Sequence, residues 1–227
     1  ELRLQWVRKL PTPRSAWPES QAKLQFDAVC QPIIVGKLMI VGSTMNDSVT
    51  AFDTGTGAEV WRFYTDGPVR FAPAAHRDKV YAASDDGNLY CLEATSGELI
   101  RKIAGGPRER RVIGNDRVVS TWPIRGGPVI ADDTVYFTAG IWPFMGIFIH
   151  AVDADSGEFV WVNSETGSRW VTHPHGTPSF GSIVPQGFLA VTGDRLLVPG
   201  GRSLPGIFDR KTGEMQRFEF GGKGNGG

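Results

Sequence analysis

One turn motif recurs four times along the chain, always with an acidic residue four places before a glycine. The copies read Thr50-Ala-Phe-Asp53-Thr-Gly-Thr-Gly57-Ala-Glu-Val-Trp61, Tyr90-Cys-Leu-Glu93-Ala-Thr-Ser-Gly97-Glu-Leu-Ile-Arg101, His150-Ala-Val-Asp153-Ala-Asp-Ser-Gly157-Glu-Phe-Val-Trp161 and Gly206-Ile-Phe-Asp209-Arg-Lys-Thr-Gly213-Glu-Met-Gln-Arg217. A carboxylate at that offset can accept the N–H groups of a tight turn, and glycine takes the positive φ that closes it. Each copy therefore reads as a hairpin between two antiparallel strands.

A second hairpin precedes each copy and is opened by a proline: Pro32, Pro73, Pro128 and Pro178. Two hairpins per unit make four strands, and the repeat glycines lie 40, 60 and 56 residues apart. Units of about 40–50 residues are the period of propeller blades, so the longer later units must hold loop insertions. A β-sandwich is the rival architecture, but its strands do not repeat one turn at a fixed offset. The expected fold is all-β: a propeller of four-stranded antiparallel blades over residues 31–65, 72–105, 127–165 and 177–220. The 29 glycines and 15 prolines, scattered between short apolar runs, agree with many strands and tight turns.

The units resemble the pyrroloquinoline-quinone (PQQ) type of propeller repeat, whose consensus turn is Ala-x-Asp-x-x-Thr-Gly-x-x-x-Trp. In that family the tryptophan docks between neighbouring blades, a role the resemblance assigns to Trp61 and Trp161, and to Trp6 in Leu4-Gln-Trp-Val. Arg101 and Arg217 stand where the pattern has tryptophan. Asp53, Gly57, Glu93, Gly97, Asp153, Gly157, Asp209 and Gly213 are accordingly structural residues. Cys91 aligns with Ala51 and Ala151, which marks it as a packing residue, and Cys30 and Cys91 lack metal or redox spacing.

Residues 1–10 read as the final strand of a blade whose other strands are not in the chain. Family rings commonly close through such a strand and hold about seven or eight blades. The chain is expected to be a partial ring, completed by further blades or by a second chain.

Lysine plus arginine and aspartate plus glutamate both number 24, so no overall field favours nucleic acid. No apolar run approaches the ~20 residues that a helical membrane span needs. Recognition must be local. Interblade segments 11–30, 105–125 and 164–177, with mid-blade loops 139–146 and 200–205, project toward one face. They carry Trp17, Trp122, Arg125, Trp142, Phe144, Trp170, His173, His175 and Arg202. Elaborated loops on a rigid scaffold are where binding resides, and this face is the expected site for a protein or small-molecule ligand. His173 and His175 offer two imidazoles to a metal but lack a third ligand nearby. Arg108-Glu-Arg-Arg111 has the donors to grip a carboxylate or phosphate.

The expected function is a non-catalytic binding or assembly scaffold of the bacterial periplasm or another extracytoplasmic compartment, without a cofactor. The alternatives that the resemblance implies are part of a quinoprotein dehydrogenase carrying PQQ with calcium, or a sensor propeller appended to another domain. A quinoprotein needs carboxylate and amide ligands for calcium and often has a vicinal disulfide, and no Cys-Cys pair is present.

Overall fold

The computed structural model describes residues 3–27, 29–166, 169–173, 176–201 and 203–219. Four four-stranded antiparallel sheets follow one another in chain order. Blade 1 has strands Ile33–Val35, Leu38–Ser43, Ser48–Asp53 and Glu59–Tyr64. Blade 2 has Ala74–His76, Lys79–Ala83, Asn88–Glu93 and Leu99–Ala104. Blade 3 has Val129–Ala131, Thr134–Ala139, Phe148–Asp153 and Phe159–Asn163, and blade 4 has Ala190–Thr192, Arg195–Gly200, Ser203–Asp209 and Met215–Arg217. This is the all-β propeller architecture that the repeat predicts.

The turn chemistry is the same in every blade. Asp53 Oδ1 accepts the N–H of Gly55 (3.1 Å), the N–H of Thr56 (2.8 Å) and the Thr56 hydroxyl (2.8 Å). Glu93, Asp153 and Asp209 repeat the pattern. Those donors hold all four carboxyls below their ordinary range, the Thr56 hydroxyl leading at Asp53 and the Thr212 N–H at Asp209. A bulge then shifts the register after Ala51, Cys91, Ala151 and Ile207, which re-aims the last strand of each blade.

That last strand carries the contact between blades. Trp61 lies on the Gly97 turn and donates its indole N–H to Ala94 O (2.9 Å), while Trp161 lies on Gly213 and donates to Arg210 O (3.0 Å). Arg101 takes the same place on blade 3, with its guanidinium against Gly157 and donating to Asp155 O (2.8 Å). Glycine is required here twice over. Gly97 has φ +74°, and a Cβ would stand 2.5 Å from the Trp61 ring. Trp61 is buried, whereas Trp161 is half-buried. Three apolar clusters fill the blades and the seams between them, one joining Tyr81, Cys91 and Ile103 of blade 2 to Val135, Phe137 and Val152 of blade 3.

Two expectations need correction. The opening strand of the fourth blade was expected at Pro178, with its link near Pro185 and Gln186. Pro178–Gly181 instead pairs with Arg169–Thr172 in a separate hairpin, where Trp170 meets Phe180 edge-on at 5.0 Å. Blade 4 opens at Ala190, and Gly193-Asp194 makes its link because Gly193 supplies the positive φ (+56°) that Gly36, Arg77 and Asp132 supply in the other blades. Residues 3–10, expected as a strand, join none of the described sheets. Their Trp6 nevertheless takes the docking position on blade 1, with its ring on Gly57 and its N–H on Thr54 O (2.8 Å).

Candidate functional site on the loop-rich face

The links between blades and the mid-blade loops meet on one face, where their main chains are tied together. The Asp85 N–H donates to Pro68 O (2.9 Å), the Ser120 N–H to Asp85 O (2.8 Å) and the Gly187 N–H to Arg125 O (3.1 Å). This places Arg70 from the first link, Asp85 from the blade 2 loop and Arg125 from the second link in one buried cluster. Asp85 receives Arg70 Nε at 2.7 Å and Arg125 at 3.4 Å. Asp27, from the segment ahead of blade 1, accepts Arg70 Nη1 at 2.6 Å and the Ala16 N–H at 2.9 Å. Burial opposes the charge on Arg70, but Asp85 and Asp27 outweigh it and hold the guanidinium above its ordinary range.

Two arginines and two aspartates balance, and the cluster is roofed. Trp17 stacks over the Arg125 guanidinium at 5.6 Å and donates to Gln186 Oε1 at 2.6 Å, while Phe71 meets Phe188 edge-on at 5.2 Å. The space left between Ala16, Phe26, Arg70, Phe71, Arg125 and Gln186 is about 10 Å³. PQQ, a tricyclic quinone with three carboxylates, does not fit in that space, where Asp85 is held by both arginines and Asp27 by Arg70 through one oxygen. That cluster thus does not accommodate the quinone. Among the described residues no group of three His, Cys, Asp or Glu is placed to hold a metal.

The expected ligand-face residues divide by exposure. Arg125 and Trp122 are buried, and Trp122 anchors the blade 3 loop from beneath by donating to Met145 O (2.7 Å). Neither lines an open surface. Trp17, Trp142 and His173 are half-buried, and Phe144 and Trp170 are exposed at 62% and 65%. His175 and Arg202 lie outside the described residues. Cys91 is fully buried and Cys30 half-buried, both as free thiols that burial pushes up in pKa.

A second feature of this face is an open polar cleft of about 410 Å³ between blade 2 and an added hairpin, Arg111–Gly114 with Arg117–Ser120. Asp66, Asp86, Lys102, Arg108, Arg111 and Ser120 contribute to its walls. The hairpin is fixed to blade 1 by the Arg117–Asp47 ion pair and by Arg117 donating to Thr44 O (3.0 Å).

Arg70, Asp85, Asp27 and Gln186 were not singled out from the sequence. One signal was available: Pro68-Val-Arg70-Phe-Ala-Pro73 and Pro123-Ile-Arg125-Gly-Gly-Pro128 share a Pro-x-Arg-x-x-Pro pattern ahead of blades 2 and 3. Repeated links, like repeated turns, mark equivalent positions around the axis.

Comparison with known proteins agrees with this architecture. No family model matches the chain. The glycerol dehydrogenase large subunit of Gluconobacter oxydans is 23% identical over 219 residues, which is 83% of this chain and 29% of that protein. The quinohemoprotein alcohol dehydrogenase ADH-IIG of Pseudomonas putida is 26% identical over 172 residues, covering 70% of this chain and 22% of the relative. The chain thus spans less than a third of the length of these curated relatives. Among solved structures, the quinohemoprotein alcohol dehydrogenase of Comamonas testosteroni superposes with a TM-score of 0.63 at 18% identity, over 84% of this chain and 34% of that one. A europium-containing methanol dehydrogenase gives 0.57 at 17% identity, over 84% and 42%. The fold is that of the PQQ-like β-propellers.

Proposed function

We propose that this chain is a non-catalytic binding module that works through the loop-rich face of a PQQ-like propeller. The observation that carries this reading is the filled ion cluster where the loops meet. Its charged groups are paired with one another, its roof is Trp17, and its free space is about 10 Å³. A buried, balanced ion cluster organises the loops around it. Binding then falls to the outward surface, where the polar cleft and the exposed Phe144 and Trp170 lie.

The same reading assigns a partner to the free flank of blade 4. Leu197, Ile207 and Arg217 pair across the sheet in the register of Tyr81, Cys91 and Arg101 in blade 2. The blade 2 row is covered by blade 3, whereas the Arg217 side chain is 65% exposed and, among the described residues, paired only with Glu219. A further four-stranded blade with an acid-to-glycine turn fits that row. The family resemblance supports placing such a module in the periplasm or elsewhere outside the cytoplasm.

The competing reading, part of a quinoprotein dehydrogenase, draws on the sequence similarity to the two dehydrogenases. Titrating the chain with PQQ and calcium, followed by dialysis, absorbance and elemental analysis, separates the two. The binding-module reading expects no retained quinone. One retained equivalent would overturn it.

A further inference from the structure

The polar cleft beside blade 2 has an uneven supply of hydrogen-bonding groups, and that imbalance identifies what it would hold. Its acidic residues are engaged. Asp86 accepts the Tyr90 hydroxyl, the Asn88 N–H (2.8 Å) and the Asp66 N–H (3.2 Å), and Asp66 receives Lys102 Nζ at 2.9 Å. Its arginines are not. Arg108 has no ion-pair or hydrogen-bond partner among the described residues, and Arg111 there pairs only with the exposed Glu109 at 3.3 Å, with Asp66 close enough to feel its charge. The Ser120 hydroxyl, at a residue only 7% exposed, adds a donor to the wall and accepts the Trp122 N–H (3.1 Å).

We propose that this cleft binds a carboxylate of an acidic peptide segment, gripped by Arg108 and Arg111. The proposal deepens the binding-module reading and rests on it. Guanidinium forks match carboxylates in pairs of parallel hydrogen bonds. A phosphate dianion is disfavoured because Asp66 and Asp86 stand in the same cleft and repel the extra charge. The remaining wall suits main chain. Gly87 and Gly106 leave bare backbone there, since a Cβ would approach Ser120 Oγ to 2.6 Å or the Trp122 ring to 2.9 Å. A volume of about 410 Å³ also exceeds what one free carboxylate fills.

The test uses the full chain and an end-capped fluorescent peptide with two glutamates, read by anisotropy, beside its glutamine counterpart. The glutamate peptide should bind at least about tenfold more tightly, since a charge-assisted hydrogen bond is worth that much or more. Arg108→Ala with Arg111→Ala should remove that difference. Arg110→Ala, in the same loop but outside the cleft, should change binding less than about twofold; both variants should keep the parent melting temperature, because these side chains are exposed. Acetate and inorganic phosphate serve as competitors and should displace the peptide only in large excess. Equal affinity for the two peptides, equal damage from Arg110→Ala, or phosphate competing as well as the peptide would each overturn the proposal. Such a failure leaves the module reading standing while the quinone titration stays negative; retained quinone would remove both.

Discussion

Replacing Asp85 by asparagine keeps the shape of the buried ion cluster and removes one buried charge. Asp85 is fully buried, it is the carboxylate paired with Arg125, and it shares Arg70 with Asp27. Both arginine side chains are only 4% exposed, so water cannot take over the lost interaction. Breaking one side of a buried ion pair costs about 3–5 kcal/mol, because the stranded charge keeps its desolvation cost without its partner. For a chain of this size about 2–4 °C of melting temperature corresponds to each kcal/mol, so Asp85→Asn should melt about 6–20 °C lower. Urea unfolding followed by circular dichroism measures the loss directly, with an unchanged slope if only the native state is affected. Adding Arg125→Gln restores charge balance around Arg70 and Asp27, and the double variant should be more stable than Asp85→Asn alone. The exposed Lys211–Asp194 pair is the reference, and Asp194→Asn should cost less than about 0.5 kcal/mol. An Asp85→Asn variant within about 0.5 kcal/mol of the parent, or a double variant whose loss is the plain sum of the single ones, would refute the account of a balanced cluster.

Three further outcomes are expected. Trp61→Ala should cost about 3–5 kcal/mol in urea, and Trp161→Ala less because that ring is half-buried; equal losses would contradict the docking geometry. Gly97→Ala should destabilise by at least about 1–3 kcal/mol, since it forces both a positive φ and a clash with Trp61, whereas Ala at Gly36, which also has positive φ but open space around it, should cost less. His150 is buried, donates its Nε2 N–H to Gly105 O at 2.8 Å, and is lowered to a pKa of about 4 by desolvation. The folded state therefore favours the neutral ring, and stability that is complete above about pH 6.5 should fall by about 3 kcal/mol as pH drops to about 4, then level off; urea midpoints across that range, with His150→Gln losing this slope, check it.

The repeated turn was legible because its chemistry is local. An acid with a glycine four places on determines a hairpin whatever surrounds it, so Asp53, Glu93, Asp153 and Asp209 could be assigned from spacing alone. Four such hairpins, each preceded by another, determined the blades and the all-β class, and the offset to Trp61 and Trp161 located two of the seams. The opening of blade 4 was not determined in this way, because Pro178 and Ala190 both begin short apolar strands before a turn. Only the pairing of Trp170 with Phe180 decides between them.

The candidate site divides along the same line. Loop lengths indicated which face carries elaborated segments, and Arg108, Arg111, Phe144 and Trp170 do stand exposed. Whether a loop residue faces water or the core depends on contacts across long sequence separations, which no local pattern encodes. Trp122 and Arg125 were indistinguishable by type from surface residues until Met145 and Asp85 were brought to them. Asp27, Arg70, Asp85 and Arg125 come from four separate segments, and burial leaves them no counter-charge but one another. That cluster exists only in the tertiary structure.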